Sequence, residues 1–550
     1  MRLLAFAAAV VVLGLTPGCS SAEGPSSDTP ATPAATTPPS ATTPVSENDA
    51  TIAMIDSGKI RGVSDGNALV WKGIPYAAPP VGANRWRPPQ AVVPWTNVRD
   101  ASSFGSQCVQ TAPDTSESTG GSEDCLTLNV WRPNGAPPPG GWPVMVFVHG
   151  GYNLRGSSSF EIEPGHLAYD GKALANRGVV YVSMNYRLGA LGWMGHAALK
   201  AESSHRTSGN YGSLDQIAAL EWVQRNARVF GADPARVLLF GQSAGATNTC
   251  MLFVSPLAKG LFSRAVMHSG VCPAVAAQTA EQAGAVLAAK LGCDSAPDVL
   301  ACLRAKPAAN VAAAMSINLL SGGFTWGPIV DGWFLPASPA TLVATRAHNH
   351  MPFVIGVTAH EMTTLWKSGV PTIPVPSTPA DHEAAMRTIY GAAHADRVIA
   401  EYPASGYPSP ALASVAATSD ASFICPAREI ARAVSAAQTE PVRRFYFSHV
   451  LAGGPARSFG AGHGFDLLFA FATYPLSFFM PTDSERALSE SIIGYLTRFA
   501  ATGDPNDAAA PLWPSYDAVL DTHLVLDDTV ALGTHLREEQ CNFWRTLAAR

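Results

Sequence analysis

The chain has 550 residues, of which 47% are hydrophobic and 14% charged, with a formal net charge of −6. Such a chain buries a large core, and an acidic balance with no basic run excludes a nucleic-acid partner. Nine Cys behind an export signal indicate an oxidising compartment, so the protein is expected in the cell envelope or secreted.

Residues 1–19 form the signal: Arg2 supplies the charge and residues 3–15 the apolar stretch, which is too short to stay behind as a membrane span. It ends in Leu-Thr-Pro-Gly-Cys, which resembles a bacterial lipobox and makes Cys19 the candidate for lipidation. A lipid on Cys19 is the one membrane contact expected. Residues 20–50 are rich in Ser, Thr, Pro and Ala with little apolar bulk, the composition of a disordered tether. A single catalytic domain is expected over residues 51–550, and nothing after the signal is apolar enough over its length to cross a membrane.

Within that domain, residues 51–64 and 68–77 alternate around turn residues, which predicts an antiparallel entry to a sheet. Strands are predicted at 126–131, 144–148 and 179–184, and further on at 265–268, 353–355, 445–447 and 523–526. Ile217, Leu220, Val223, Ala227 and Phe230 make a helical stripe over residues 215–230. Strands alternating with helices predict an α/β fold with a large, mostly parallel central sheet. No internal repeat is visible.

The decisive stretch follows that helix. Val237 to Phe240 is an unbroken apolar run, as in a strand buried on both faces, and Gly241-Gln242-Ser243-Ala244-Gly245 comes directly after it. Chance alone yields about 0.3 such Gly-x-Ser-x-Gly matches in a chain this rich in Gly. The strand–turn–helix setting is what makes it a nucleophile elbow, in which a tight turn strains Ser243 and lifts its hydroxyl above the sheet edge. His149-Gly150-Gly151-Tyr152 closes another buried strand and offers backbone N–H groups to an anion. Glu361 lies beyond the 353–355 strand, and Gly462-His463-Gly464 lies farther along. The order Ser…Glu…His is the one an α/β-hydrolase imposes. His268 and His360 lack a comparable setting and are set aside as bases.

From about residue 51 onward the chain resembles the type-B carboxylesterases, the family of cholinesterases and bacterial carboxylesterases. The resemblance rests on Gly73-Ile74-Pro75-Tyr76-Ala77, Arg85-Trp86, Glu123-Asp124-Cys125-Leu126-Thr127-Leu128-Asn129-Val130, Asn185-Tyr186-Arg187, residues 209–216 and residues 328–332. It implies an α/β-hydrolase fold and a serine esterase in which Ser243 attacks, His463 is the base and Glu361 orients it. It also implies an oxyanion hole from the N–H groups of Gly151, Tyr152 and Ala244. No metal or organic cofactor is implied, and the partner is a small ester. The oligomeric state is left open.

The same resemblance implies disulfides Cys108–Cys125, Cys293–Cys302 and Cys425–Cys541, the last tying a segment ahead of a strand bearing His463 to the C-terminal helix. Cys250 and Cys272 remain, bridged or free. Ion pairs Arg85–Glu123 and Arg187–Asp215 are implied as structural ties. The chain departs from the family at Tyr152, where relatives carry Gly or Ala, and at Gln242, where they carry Glu. Hydrolysis of neutral carboxylic esters is the leading expectation. A catalytically silent binding or adhesion relative is disfavoured by the intact triad, and an interfacial lipase by the lack of an evident amphipathic lid.

Overall fold

The computed structural model describes residues 49–111, 119–315, 325–475 and 477–548. The signal, Cys19 and nearly all of the tether lie outside the described residues, as does much of the loop between Cys108 and Cys125.

The central sheet has eleven strands, numbered here in chain order. They are β1 (Val63–Asp65), β2 (Ala68–Pro75), β3 (Thr127–Pro133), β4 (Trp142–Val148), β5 (Val180–Met184), β6 (Ala232–Gln242), β7 (Arg264–His268), β8 (Phe353–Thr358), β9 (Val442–Phe447), β10 (His523–Leu526) and β11 (Ala531–Gly533). Their order across the sheet is β11-β10-β9-β8-β7-β6-β4-β5-β3-β2-β1. From β5 to β10 every neighbouring pair is parallel. β1 to β3 at one edge and β11 at the other are antiparallel additions.

The apolar runs are continuous because the sheet is covered on both faces. In β4, Val144, Val146 and Val148 enter one core while Met145 and Phe147 enter the other. Val237 and Leu239 of β6 join the first core, and Leu238 and Phe240 the second.

Three boundaries differ from the sequence reading, each for a tertiary reason. The hairpin Ile52–Ile55 and Gly58–Arg61 does not enter the central sheet; it pairs with Arg99–Asp100 in a small sheet of its own. β6 starts five residues before its apolar run, because Ala232 already pairs with Trp142 of β4. The stripe at 215–230 is a helix, α1 (Tyr211–Asn226), followed by a 3-10 turn that stops at Gly231 with φ +73°.

A fourth difference concerns His463, which sits in a loop rather than on a strand. Gly460 and Gly464 flank it at φ +61° and +80°, conformations that break extended backbone. Among the described residues a single bridge, Gly462 to His360, ties this loop to a neighbour by sheet-type pairing.

Four disulfides brace the described residues: Cys108–Cys125, Cys250–Cys272, Cys293–Cys302 and Cys425–Cys541. The question left open for Cys250 and Cys272 is thus answered as a bridge, running from the helix behind Ser243 to the loop after β7. Cys425 and Cys541 are separated by 116 residues, with Cα atoms 5.0 Å apart. Their bridge ties α4 (Cys425–Ala437) to α6 (Glu538–Ala548), the labels α2, α3 and α5 being given to Ala244–Val254, Glu361–Lys367 and Asp483–Thr502. Closing so long a loop removes considerable freedom from the unfolded chain. Replacing both Cys425 and Cys541 with Ser is expected to lower unfolding stability by about 2–4 kcal/mol, measured by denaturant titration. An unchanged midpoint would show that the rest of the fold already holds α6 in place.

Candidate active site

The chain runs from β4 to β5 on one side and then returns to β6 on the other, so the strand order reverses around β4. Crevices at such a reversal, outside the carboxyl ends of parallel strands, are where α/β sheets place their ligands. Register brings the ends level: Val148 pairs with Gly241, Gln242 with His268, His268 with Gly356, and Thr358 with Phe447. The loops that follow therefore open onto one rim.

Ser243 caps α2, at φ 58° and ψ −125°. That backbone is strained for a residue with a side chain, and glycines permit it. A Cβ on Gly245 would collide with the Val148 carbonyl oxygen, and one on Gly241 with the Gly245 carbonyl. A Cβ on Gly150 would lie 2.8 Å from the Gln242 carbonyl oxygen and 3.0 Å from Ser243 Cβ, so the loop after β4 presses directly on the elbow.

That loop turns through three successive residues with positive φ, Gly151 (+107°), Tyr152 (+60°) and Asn153 (+59°). Gly151 O accepts hydrogen bonds from the N–H groups of both Leu154 and Arg155, which closes the turn. Asn248 of α2 donates to Asn153 Oδ1 at 2.8 Å, fastening the loop to the helix that Ser243 caps. Tyr152 finds room by packing against the apolar cluster that includes Met362, Leu365 and Trp366 of α3. Burial pushes its phenol up to about 12, and among the described residues the hydroxyl has no hydrogen-bond partner.

On the far side, Glu361 opens α3 and is fully buried. Its Oε1 accepts from the Thr358 N–H at 2.7 Å, and its Oε2 lies 2.5 Å from His463 Nδ1. A carboxylate there fixes the His463 proton on Nδ1 and leaves Nε2 with a lone pair. The partner of Nε2 is the Gln242 side-chain amide, which donates to it at 3.0 Å. Ser243 Oγ makes no hydrogen bond to His463 in this arrangement, although it belongs to the residue adjoining Gln242. The Phe423 ring packs on the imidazole with ring centres 5.0 Å apart.

A sequence profile of the carboxylesterase family matches residues 49–544. The fumonisin B1 esterase of Sphingopyxis macrogoltabida is 34% identical over 84% of this chain and 84% of its own length. Carboxylesterase 5A of Canis lupus familiaris is 33% identical over 86% of this chain and 84% of its own. Among solved structures, a PNB esterase (TM-score 0.75) and a thermophilic PNB esterase (0.76) are each 30% identical, covering 90% of this chain and 99% of theirs. The chain belongs to the carboxylesterase family. It is a carboxylic ester hydrolase with an α/β-hydrolase fold.

The two ion pairs implied by the family resemblance are present, Arg187–Asp215 fully buried and Arg85–Glu123 partly so. Arg85 grips Glu123 with two bonds of 2.6 Å and also donates to the Leu303 and Lys306 carbonyls. Arg187 holds Asp215 at 2.6 and 2.8 Å. His268 and His360, set aside as bases, have structural work: His268 Nδ1 pairs with Asp466 at 2.7 Å, and its carbonyl accepts the Ser243 N–H at 2.9 Å. His360 Nδ1 accepts the Ala461 N–H at 3.1 Å, holding the His463 loop.

Sequence reasoning missed Phe423, Asn248, Ser419 (which accepts the Met362 N–H) and the contact between Gln242 and His463. Their separations in the chain carry no periodic signal. Gln242 alone was visible, as a departure from the family.

His149 links this site to pH. Its ring stacks on Tyr186 at 4.4 Å, and Nδ1 donates to the Gly150 carbonyl at 2.9 Å. Burial brings it down from 6.5 to about 4, against the smaller opposing effect of that bond. The unfolded chain takes up a proton on this residue below pH about 6.5, whereas the folded chain resists until about pH 4. Stability is thus fully present above about pH 6.5 and falls as the pH drops through that window, by about 3 kcal/mol in all. Melting temperatures from pH 7 to pH 4.5 should show a steeper acid loss for the wild type than for His149→Phe, whatever the variant's offset at pH 7. Parallel curves would remove His149 from the acid response.

Proposed function

We propose that Ser243, His463 and Glu361 form the catalytic triad of a serine carboxylesterase acting on neutral esters. The observation that carries this reading is a strained Ser243 at a helix N-terminus, next in the chain to Gln242, whose amide meets a buried imidazole held at Nδ1 by a buried carboxylate. His463 Nε2 takes the proton as Ser243 Oγ attacks the ester carbonyl, then passes it to the departing alcohol. Glu361 stabilises the imidazolium formed in between. The N–H groups of Gly151, Tyr152 and Ala244 would hold the oxyanion. Water then releases the acid from acyl-Ser243 by the same proton path.

The bond from Gln242 to Nε2 belongs to the resting state in this reading. When substrate orients the Ser243 hydroxyl toward Nε2, the amide gives way, in keeping with catalytic hydrogen bonds that tighten only on substrate binding.

Ser243→Ala is expected to lower hydrolysis of a short-chain chromogenic ester roughly 10⁴-fold or more, with its melting profile kept. His463→Ala should be about as inactive as the double variant, since triad members act as a unit. Losses that add would remove the triad assignment. The same assay on emulsified long-chain esters distinguishes an interfacial lipase, which would favour the emulsion.

Substrate charge follows from two residues. Relatives that bind quaternary ammonium use an aromatic ring in the first Cys loop and the Glu before the nucleophile. Here the segment between Cys108 and Cys125 contains no Trp, Tyr or Phe, and Gln242 is neutral. A cation–π contact is worth roughly 0.5–2 kcal/mol, and 1.4 kcal/mol is about tenfold in rate. The kcat/KM for butyrylcholine should therefore fall about tenfold or more below that for its uncharged 3,3-dimethylbutyl analogue. Gln242→Glu should narrow that gap. A wild-type preference for the charged ester would overturn this specificity.

A further inference from the structure

His449 and the pair Asp527–Asp528 converge at the carboxyl ends of β9 and β10. The two strands are parallel and end level, with Phe447 paired to Leu526, so the residues just beyond them emerge side by side. His449 Nδ1 lies 3.1 Å from Asp528 Oδ1 and 3.5 Å from Asp527 Oδ1. One ligand-type atom from each of the three residues falls within 4.8 Å of the other two.

The protonation of His449 can be argued from its other nitrogen. Nε2 lies 2.9 Å from Glu485 Oε1. Glu485 Oε1 also accepts the Ala452 N–H at 2.8 Å, and its Oε2 accepts the Thr482 N–H at 2.7 Å. With both oxygens already accepting from backbone N–H groups, this carboxyl faces His449 as an acceptor, and Nε2 is the nitrogen that donates to it. Nδ1 is the remaining ligand-type atom of a ring that is 3% exposed, and among the described residues it has no hydrogen-bond partner despite the two nearby carboxylates. With the proton on Nε2, Nδ1 turns a lone pair toward two carboxylate oxygens, a repulsion that a cation between them would relieve.

Two ligand atoms bound at about 2.1 Å to one ion sit roughly 3.0 Å apart in an octahedral shell and 3.4 Å apart in a tetrahedral one. The two Nδ1–carboxylate separations match that spacing. A histidine whose far nitrogen donates to a buried carboxylate is also the usual second-layer arrangement behind a metal ligand. Ser448 Oγ donates to Asp527 Oδ2 at 2.5 Å, and the Asp528 N–H to Asp527 Oδ1 at 2.9 Å, which fixes the Asp527 side chain. Asp528 is largely exposed, so water can complete the shell from that side.

We propose that His449 Nδ1, Asp527 and Asp528 form a divalent metal site for a first-row cation such as Zn²⁺ or Mn²⁺. One imidazole with two carboxylates suits those ions better than Mg²⁺, which prefers oxygen ligands alone. The site is structural and takes no part in ester cleavage. It anchors the start of the segment that leaves β9 and ends at His463, and it ties that segment to β10 and, through Glu485, to α5.

The test uses the full-length protein stripped with chelator, titrated with Zn²⁺, Mn²⁺ or Mg²⁺ alone. Calorimetry and the Mn²⁺ electron-paramagnetic signal report binding, and the melting temperature reports coupling to the fold. One Zn²⁺ or Mn²⁺ should bind with a rise in melting temperature. Asp528→Asn, at an exposed position that does not endanger folding, should weaken binding about tenfold or more and abolish the rise. Asp527→Asn should do the same. If neither Zn²⁺ nor Mn²⁺ binds at millimolar concentration, or both variants bind as the wild type does, the site is a histidine–carboxylate ion cluster and the proposal fails.

Discussion

The architecture depends on a steric constraint at the end of β4. α2 begins so close to that strand that residue 245 has room for no side chain, because the Val148 carbonyl occupies the space a Cβ would take. This approach forces Ser243 into its strained backbone and brings Gly150 against the elbow. The proposed nucleophile and the proposed oxyanion loop are therefore set by one contact. The strain is held by surroundings that over-determine it: Ser243 N–H is bound to the His268 carbonyl, and α2 is fastened to the loop by Asn248 and Asn153.

The opposite wall is held by polar groups rather than by close packing. Glu361 has no exposure, so its charge is tolerable only because Thr358 N–H and His463 bond its two oxygens. His463 hangs from a glycine-bracketed loop and gains its position from partners on three segments: Glu361 and, through the loop, its neighbour His360, then Gln242, and the Phe423 ring. Breaking any one of the hydrogen bonds would leave a buried polar group unpaired, costing more than the bond itself contributes.

Farther out, covalent and ionic ties keep the long excursions between strands near the rim. Arg85–Glu123 and the bridge Cys108–Cys125 hold the first loop, and Arg187–Asp215 joins the end of β5 to α1. Cys425–Cys541 and Arg537–Asp420 hold the C-terminal helix region against the turn that presents Phe423. Four such bridges suit an exported protein.

The sequence by itself determined what depends on local chemistry. Doubly buried strands show as unbroken apolar runs, and the elbow shows as glycines around Ser243, because both demands fall on neighbouring residues. The family resemblance added Glu361 and His463, whose distance from Ser243 in the chain hides any pattern. Only the tertiary structure decided that Gln242, and not Ser243, meets His463 Nε2, that Cys250 bridges Cys272, and that His449 faces two aspartates. It also moved His463 from a strand to a loop and the first hairpin out of the central sheet. These outcomes rest on strand order and register, which bring together residues tens to hundreds of positions apart. Hydrophobic period constrains the face a residue occupies, but not which distant residue lies opposite.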